Sequence, residues 1–305
     1  MTSASPNQSV QTVDFEKAYK LPKQARYFNM SVLWIFYYPL LLRLLYHIKI
    51  RHEVVTLVSF LFGILAGLLL LREGYLALIL AALFVHLKDV FDACDGSLAR
   101  LRNQTNRIAR FLDSLCDFLA INWIVVALAI RLYPSFGSVV IGLAVGTLVS
   151  LFLQCSYFNY YLIAYTKIHG DTNVRHDERL TESDKKFYAA SWKRFLLIFL
   201  QSIYRVTYGW QDKLVGFLDR GSVKTVYGKA RDSLAAGECS AWYGDKTLLI
   251  LNTPLCFGTH LFILILSMLL SRPEFFYYIV LIPGNCYLLF NYAYRQRRFA
   301  RRIAR

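Results

Sequence analysis

Four aspartates that lie close together in the sequence are the residues of this chain best suited to chemistry. They are Asp92, Asp95, Asp113 and Asp117, within FDACDGSLARLRNQTNRIARFLDSLCDF at residues 91–118. The first two are three residues apart and the last two are four apart, so each pair would share one face of a helix. Their carboxylate oxygens suit Mg²⁺ or Mn²⁺ rather than zinc. Two such ions about 4 Å apart can neutralise a pyrophosphate and orient an in-line attack, while a spare carboxylate takes the proton of the attacking hydroxyl.

Two consecutive apolar stretches must position these aspartates. The first pair follows the stretch at residues 75 to about 91, and the second pair begins the stretch at residues 111–130. The short connection favours an antiparallel hairpin of helices, which would bring all four carboxylates together near a membrane surface. Four acids without counter-charges would be costly there, whereas metal-bound acids would not be. The pattern therefore favours a metal site over a structural cluster.

Two polar residues just before this group are placed outside the site. Asp89 lies beside Lys88, where an aspartate is expected to be solvated or paired. His86 is expected to pack within its helix, because sites built from carboxylate oxygens rarely recruit histidine. Neither side chain is counted among the predicted metal ligands.

The composition indicates a membrane protein. Of the 305 residues 56% are hydrophobic and 16% aromatic, yet the net charge is +15. The basic residues must then gather outside the bilayer, where anionic headgroups attract them. They flank apolar runs rather than forming a nucleic-acid motif, so no nucleic acid is expected as a partner. The six cysteines contain no CxxC pair and indicate neither a disulfide framework nor a zinc site.

The apolar stretches predict an all-α integral membrane protein with a bundle of six transmembrane helices. The predicted spans are residues 54–71, 75 to about 91, 111–130, 136 to about 165, 248–270 and 275–294. Their lengths suit a hydrocarbon core about 30 Å thick. The basic tail YRQRRFARRIAR and the other long connections carry most of the charge, so the positive-inside rule places both termini and the aspartates in the cytosol. The N-terminus lacks a signal-peptide core and is expected to remain.

The predicted organisation has four segments: residues 1–53, 54–166, 167–246 and 247–305. In the first, residues 31–48 contain Pro39 and Arg43, which favours a helix lying in the membrane interface over a seventh span. The third is a cytosolic insert with an amphipathic helix expected near residues 192–218. That helix would lie on the membrane or bind a partner protein, and the sequence leaves both open.

The spacing of the aspartates resembles the signature of the CDP-alcohol phosphatidyltransferase family. That signature reads DxxDGxxAR, eight residues, then GxxxDxxxD, and this chain keeps seven of its eight fixed positions. The matching residues are Asp92, Asp95, Gly96, Ala99, Arg100, Asp113 and Asp117. Ala109 stands where the family has glycine, and its added methyl group would crowd the nucleotide or shift the helix contact.

The resemblance implies a set of site residues and a fold. Asp92, Asp95 and Asp113 would bind metal, with Asp117 near a second ion and acting as the general base. Gly96, Ala99 and Arg100 would shape the site for the CDP group. The fold would be a six-helix bundle that commonly dimerises, with a lipid-accessible cavity facing the cytosol. The membrane would be a bacterial inner membrane or an internal membrane.

The implied reaction is transfer of a phosphatidyl group from CDP-diacylglycerol to the hydroxyl of a polar alcohol, with release of CMP. CDP-diacylglycerol is the favoured donor, because the flank FLDSLCDF is similar to the phosphatidyl-transferring members. A polyol or polyol phosphate is the favoured acceptor, because a phosphorylated polyol would explain part of the basic cytosolic lining. The alternative within this chemistry is transfer from CDP-choline or CDP-ethanolamine to diacylglycerol. An ion transporter that uses the aspartates as a relay and an inactive membrane scaffold are the less favoured classes.

Overall fold

The computed structural model describes residues 15–19, 21–104, 107–169 and 191–303. Within these ranges the chain is helical and contains no strand, which confirms the all-α prediction. Predictions for the first 14 residues and for the start of the insert, residues 170–190, lie outside the described part. The α-helices are α1 Tyr38–His47, α2 His52–Leu70, α3 Tyr75–Leu101, α4 Arg107–Phe136, α5 Val139–Ile168, α6 Ser191–Thr207, α7 Gly209–Tyr227, α8 Ala236–Gly244, α9 Lys246–Asn252, α10 Phe257–Leu269, α11 Phe275–Ile279 and α12 Asn285–Ile303.

Four stretches of the described chain are long and apolar enough to cross a membrane. They are α2, α4, α5 and the stretch Ala236–Leu269. The last of these is not one straight helix, because Asp245 caps α9 and Pro254 lies in a 3-10 turn before α10. Helix α3 and the C-terminal helix are not among the four. The membrane character predicted from composition is thus supported by four spans, and a count of six is not established.

Helices α2, α3 and α4 pack together and form the frame of the aspartate site. Two glycines on α2, one helical turn apart, allow α4 to come close. A Cβ atom on Gly63 would lie 2.8 Å from the Cβ of Ala120. A Cβ atom on Gly67 would lie 2.1 Å from Nε1 of Trp123, which donates a hydrogen bond of 3.0 Å to the carbonyl of Ile64. The position of α4, and with it of two aspartates, therefore depends on these glycines.

The insert packs against the second half of α5 through a buried carboxylate. Asp219 on α7 is 1% exposed and accepts four hydrogen bonds of 2.6–3.0 Å. The donors are the hydroxyls of Tyr160, Tyr161 and Tyr243 and the indole N–H of Trp242. Because a buried carboxylate must be satisfied, these bonds fix α7 and α8 to the bundle.

The two predicted interfacial segments do not form single helices. Residues 31–48 form a 3-10 turn at Met30–Leu33 and then the ten-residue helix α1, so the single helix predicted there was wrong. The segment 192–218 forms two helices, α6 and α7, which meet at Tyr208. Both segments expose large apolar side chains at helical spacing. In the first these are Phe36, Leu40, Leu44 and Ile48, and in the second Trp192, Phe195, Phe199, Val206, Trp210, Leu214 and Phe217.

Candidate metal centre and active site

Three of the four aspartates come together between α3 and α4. Asp92 and Asp95 lie in the second half of α3, and Asp113 lies near the start of α4. Each offers one carboxylate oxygen, and these three oxygens all lie within 4.8 Å of one another. The three carboxylates therefore converge, although α3 and α4 pack mainly against α2 rather than against each other as the predicted hairpin. Their role as metal ligands stays a prediction.

Helix α2 supplies a polar contact that the sequence analysis missed. Asp95 is 4% exposed, and its Oδ2 accepts a hydrogen bond of 2.6 Å from the hydroxyl of Thr56. The same hydroxyl lies 3.2 Å from the carbonyl of His52 one turn earlier. Thr56 looks like an ordinary residue of an apolar helix, and only the packing of α2 against α3 reveals its contact. The hydrogen bond orients the most buried of the three carboxylates.

Lys88 is the second residue that the sequence analysis missed. Its side chain is 1% exposed, and its ammonium group contacts Oδ1 of Asp117 and lies 3.7 Å from Oδ1 of Asp92. The expectation that the acids lack a counter-charge was therefore wrong. The signal was present, because Lys88 precedes Asp92 by four residues and lies on the same helical stripe as Asp92 and Asp95. A lysine in an otherwise apolar part of a helix is as costly as an acid there, so it indicates a carboxylate partner.

The residues present fit a divalent cation. Four carboxylates face one ammonium group, so the cluster carries an excess of negative charge that a cation would neutralise. Oδ1 of Asp113 is buried and has no hydrogen-bond partner among the described residues. A buried carboxylate oxygen without a donor is costly, and a metal ion would satisfy it. The all-oxygen donor set is the one that Mg²⁺ and Mn²⁺ prefer.

The predicted CDP-site residues follow directly after the first two aspartates on α3. Gly96 is partly exposed, and a Cβ atom there would lie 3.4 Å from Nη1 of Arg100. Arg100 donates hydrogen bonds of 2.7 Å to the carbonyl of Ala18 and 3.0 Å to the hydroxyl of Ser97. Ala99 is buried. The guanidinium therefore tethers the N-terminal segment to this end of α3, a contact that the sequence analysis did not predict.

Ala109, the departure from the family signature, lies in the first turn of α4. It precedes Asp113 by one helical turn and is partly buried. Its methyl group therefore shares the helix face that carries Asp113 and Asp117. The substitution lies beside the candidate metal ligands, as the spacing predicted.

The two residues placed outside the site have partners of their own. The indole N–H of Trp34 donates a hydrogen bond of 3.0 Å to Oδ2 of Asp89, which is buried. The hydroxyl of Tyr37 lies 2.6 Å from Nε2 of His86. These contacts join the segment before α1 to α3 and agree with the expectation that Asp89 is paired and His86 packed.

The insert forms the wall of the site on the side of α4. Tyr208 donates a hydrogen bond of 3.1 Å to the carbonyl of Ser114, and its ring packs edge-on against Phe118 and Phe152. Beside it lies a groove of about 350 Å³. The groove is lined by Phe118, Val145, Leu148, Val149, Phe152, Val206, Thr207, Trp210 and Gln211. The lining residue Phe118 directly follows Asp117 on α4, so the largely apolar groove borders the helix that carries Asp113 and Asp117.

A comparison of the amino-acid sequence with models of protein families identified one match. The model of the CDP-alcohol phosphatidyltransferases matches residues 52–203, which is about half of the chain. The chain belongs to this family. A search of the curated proteins found no match. The family match begins at the first residue of α2, includes all four aspartates and ends within α6.

Membership of the CDP-alcohol phosphatidyltransferase family establishes the general class of activity. The chain is a transferase of phospholipid metabolism that acts on CDP-alcohol substrates, and the family generally uses divalent metal ions. The C-terminal third of the chain, which contains Asp219 and the last helices, lies beyond the matched residues.

Proposed function

We propose that this CDP-alcohol phosphatidyltransferase moves a phosphatidyl group from CDP-diacylglycerol to the hydroxyl of a polar alcohol and releases CMP. The observation that carries the proposal is the meeting of three carboxylate oxygens within 4.8 Å at the family signature. A polyol or polyol phosphate is the favoured acceptor. The same site chemistry also serves transfer from CDP-choline or CDP-ethanolamine to diacylglycerol, which remains the alternative.

We propose two different roles for the four aspartates. Asp92, Asp95 and Asp113 would hold a divalent ion, Mg²⁺ or Mn²⁺, which when bound would neutralise the pyrophosphate of the donor. Asp117 would take the proton of the acceptor hydroxyl. The hydroxyl oxygen then forms a bond to the phosphorus that bears the diacylglycerol, and the bond from that phosphorus to the CMP oxygen breaks. Gly96, Ala99 and Arg100 would shape the site for the cytidine diphosphate.

The groove beside Tyr208 supports a lipid donor. We propose that it holds an acyl chain, because its lining is largely apolar and two of its residues, Val145 and Val149, are exposed on the candidate span α5. In a membrane these two valines would face hydrocarbon, so a chain could enter from the bilayer. Phe118 lines the groove and directly follows Asp117 on α4, and the headgroup chemistry would take place at Asp117.

We also propose the finer membrane arrangement. Helix α3 packs against the span α2, and its charged residues Lys88, Asp89 and Asp95 are partnered inside the bundle, which supports a crossing by α3 as well. The sixth span would be residues 275–294, which comprise α11, the π-helical turn Val280–Gly284 and the first half of α12. Six spans place both termini, the insert and the site on the cytosolic side of a bacterial inner membrane or an internal membrane. The exposed stripes of α1, α6 and α7 would lie in the interface, and the family resemblance suggests a homodimer.

A CMP-release assay tests the proposed reaction. Purified protein receives CDP-diacylglycerol with Mg²⁺ or Mn²⁺ and a panel of inositol, inositol phosphate, glycerol phosphate, serine and choline. We expect release that requires one acceptor and that EDTA abolishes. Release only from CDP-choline or CDP-ethanolamine with diacylglycerol would establish the alternative. No release from any donor, with the metal still bound, would contradict the enzymatic proposal and favour an inactive scaffold.

A further inference from the structure

Lys88 lies inside the acidic cluster but has no role in the proposed reaction. Its carbonyl accepts a hydrogen bond of 2.9 Å from Ser59, which fixes this turn of α3 against α2. Its ammonium group lies 5.1 Å from the centre of the Phe257 ring. With a side chain only 1% exposed, Lys88 is held among helices α2, α3, α4 and α10. An ammonium group in such a place is stable only beside carboxylates.

The four aspartates take part in two overlapping arrangements, one that could share an ion and one around Lys88. Asp92, Asp95 and Asp113 form the group that could share one ion. Asp117 is not part of that group, and its Oδ1 contacts the ammonium of Lys88. Asp92 belongs to both arrangements, since its Oδ1 lies 3.7 Å from the same ammonium group. The lysine therefore bridges Asp92 and Asp117, the pair of carboxylates that a second ion would otherwise join.

We propose that this enzyme holds a single divalent ion, at Asp92, Asp95 and Asp113, and that the Lys88 ammonium occupies the position of a second cation. This inference rests on the proposed function and replaces the expectation of two ions. An ammonium group and a divalent cation at the same two carboxylates would repel each other strongly at low dielectric. Lys88 is covalently attached and cannot diffuse away, so it has the advantage over a dissolved ion at this position.

The proposal makes Lys88 a positioning residue. Its contact with Oδ1 of Asp117 fixes the orientation of that carboxylate, and Oδ2 is the oxygen not engaged in this ion pair. The acceptor hydroxyl would then approach Oδ2. The positive charge also remains near the phosphates of the donor throughout the reaction, whether or not solution metal is abundant.

Counting bound Mn²⁺ tests the proposal without any measurement of turnover. The full-length protein is titrated with Mn²⁺, alone and with CDP, and the ions per chain are counted by equilibrium dialysis with elemental analysis. Electron paramagnetic resonance then distinguishes an isolated ion from a spin-coupled pair. We expect one isolated Mn²⁺ per chain in the wild type. We expect two coupled ions in Lys88→Met, which keeps the side-chain length and removes the charge, and one ion in the charge-preserving control Lys88→Arg.

The possible outcomes separate this proposal from the proposed function. Two ions in the wild type, or one ion in a folded Lys88→Met variant, would overturn the role of Lys88. No bound ion in the wild type contradicts the metal site of the proposed function, and this inference falls with it. If the Lys88→Met variant does not fold, bound Mn²⁺ is counted in the Asp117→Asn variant instead. It should keep one ion, with an affinity lowered by at most about 10–100-fold, because Asp117 would act on that ion only as an outer partner. Loss of the ion in this variant would make Asp117 a ligand and contradict the proposal.

Discussion

At the scale of single residues, the site depends on which side chain neutralises which carboxylate. Asp95 is oriented by Thr56, Asp117 is paired with Lys88, and Asp113 retains a buried oxygen with no donor among the described residues. A carboxylate with a fixed neutral donor stays available to a metal ion, whereas one paired with an ammonium group competes less well for it. These contacts predict different effects for substitutions of the four aspartates.

Replacement of Asp117 should separate catalysis from metal binding. Asp117→Asn removes the proposed proton acceptor and is expected to lower CMP release by about 10²–10⁴-fold, the usual contribution of general base catalysis. Metal binding should persist, since three other carboxylates form the ion site. Asp232→Asn is the control, because Asp232 is an exposed aspartate of the insert. Normal turnover by Asp117→Asn would remove the general-base role.

Thr56 should affect metal affinity through Asp95. Thr56→Val keeps the shape of the side chain and removes the donor, so we expect Mn²⁺ affinity to fall by about 10–100-fold, as for other partners of metal ligands. Isothermal titration calorimetry in detergent measures the change. Thr225→Val is the matched control, because the hydroxyl of Thr225 only contacts the carbonyl of Gly221 on an exposed helix face. Equal affinities in the two variants would show that Thr56 does not orient Asp95.

At the scale of helices, the site depends on how closely α4 approaches α2. The two helices meet at Gly63 and Gly67, and the N–H of Trp123 is bonded to the backbone of α2. Since α3 is packed against α2 as well, the distance between the two pairs of aspartates is set by this contact. The insert is fixed separately, through Asp219 and its four donors.

A methyl group at Gly67 should weaken the contact between α2 and α4. Gly67→Ala would force Trp123 to move and to lose its hydrogen bond, and overpacking of this kind costs about 1–3 kcal/mol. Thermal unfolding in detergent, followed with a thiol-reactive dye that reports the buried cysteines, measures the loss. Gly142→Ala is the matched control, since nothing lies within 4 Å of the added Cβ atom on α5. A melting temperature as high as that of the control would mean that Trp123 accommodates the methyl group.

Removal of the Asp219 carboxylate should release the insert from the bundle. Asp219→Leu leaves four buried donors without an acceptor, and each unsatisfied group costs about 1–3 kcal/mol. We expect faster proteolysis within residues 191–244 than in the wild type, while the Mn²⁺ site of the family core is kept. Asp232→Asn again provides the control. Unchanged proteolysis would indicate that other contacts hold α7 and α8.

At the scale of the whole molecule, the number of crossings decides which side of the membrane each segment faces. Four stretches qualify as spans by length and composition, and α3 and residues 275–294 would complete six. Helix α1, with ten residues, is too short to cross a hydrocarbon core about 30 Å thick. This length argues against a seventh span at residues 31–48.

Epitope tags at the two ends of the chain test the topology. With six spans, both tags and a protease site placed in the insert should be protected in sealed right-side-out vesicles and accessible after permeabilisation. Accessibility of one terminal tag before permeabilisation would require an odd number of crossings and contradict the six-span proposal. A tag between α2 and α3, at residues 71–74, serves as the control for the opposite side.

The class of protein and the position of the acidic cluster could be predicted from the amino-acid sequence. Apolar stretches of sufficient length indicate membrane helices in any context, and the spacing of Asp92, Asp95, Asp113 and Asp117 follows from the helical period. Both are local properties of the chain. The reaction class could be predicted from the family signature, because the signature also consists of residues that are near one another in sequence.

The groups that meet from distant parts of the chain could not be predicted, because their contacts depend on how the helices pack. The contacts of Thr56 with Asp95 and of Lys88 with Asp117 join different helices, and helical periodicity carries no information about the partner of a helix face. The division of residues 192–218 at Tyr208 likewise depends on packing against α4 and α5. Counter-charges and helix breaks are set by neighbours in space, so a pattern along the chain could indicate the acids but not the lysine that neutralises them.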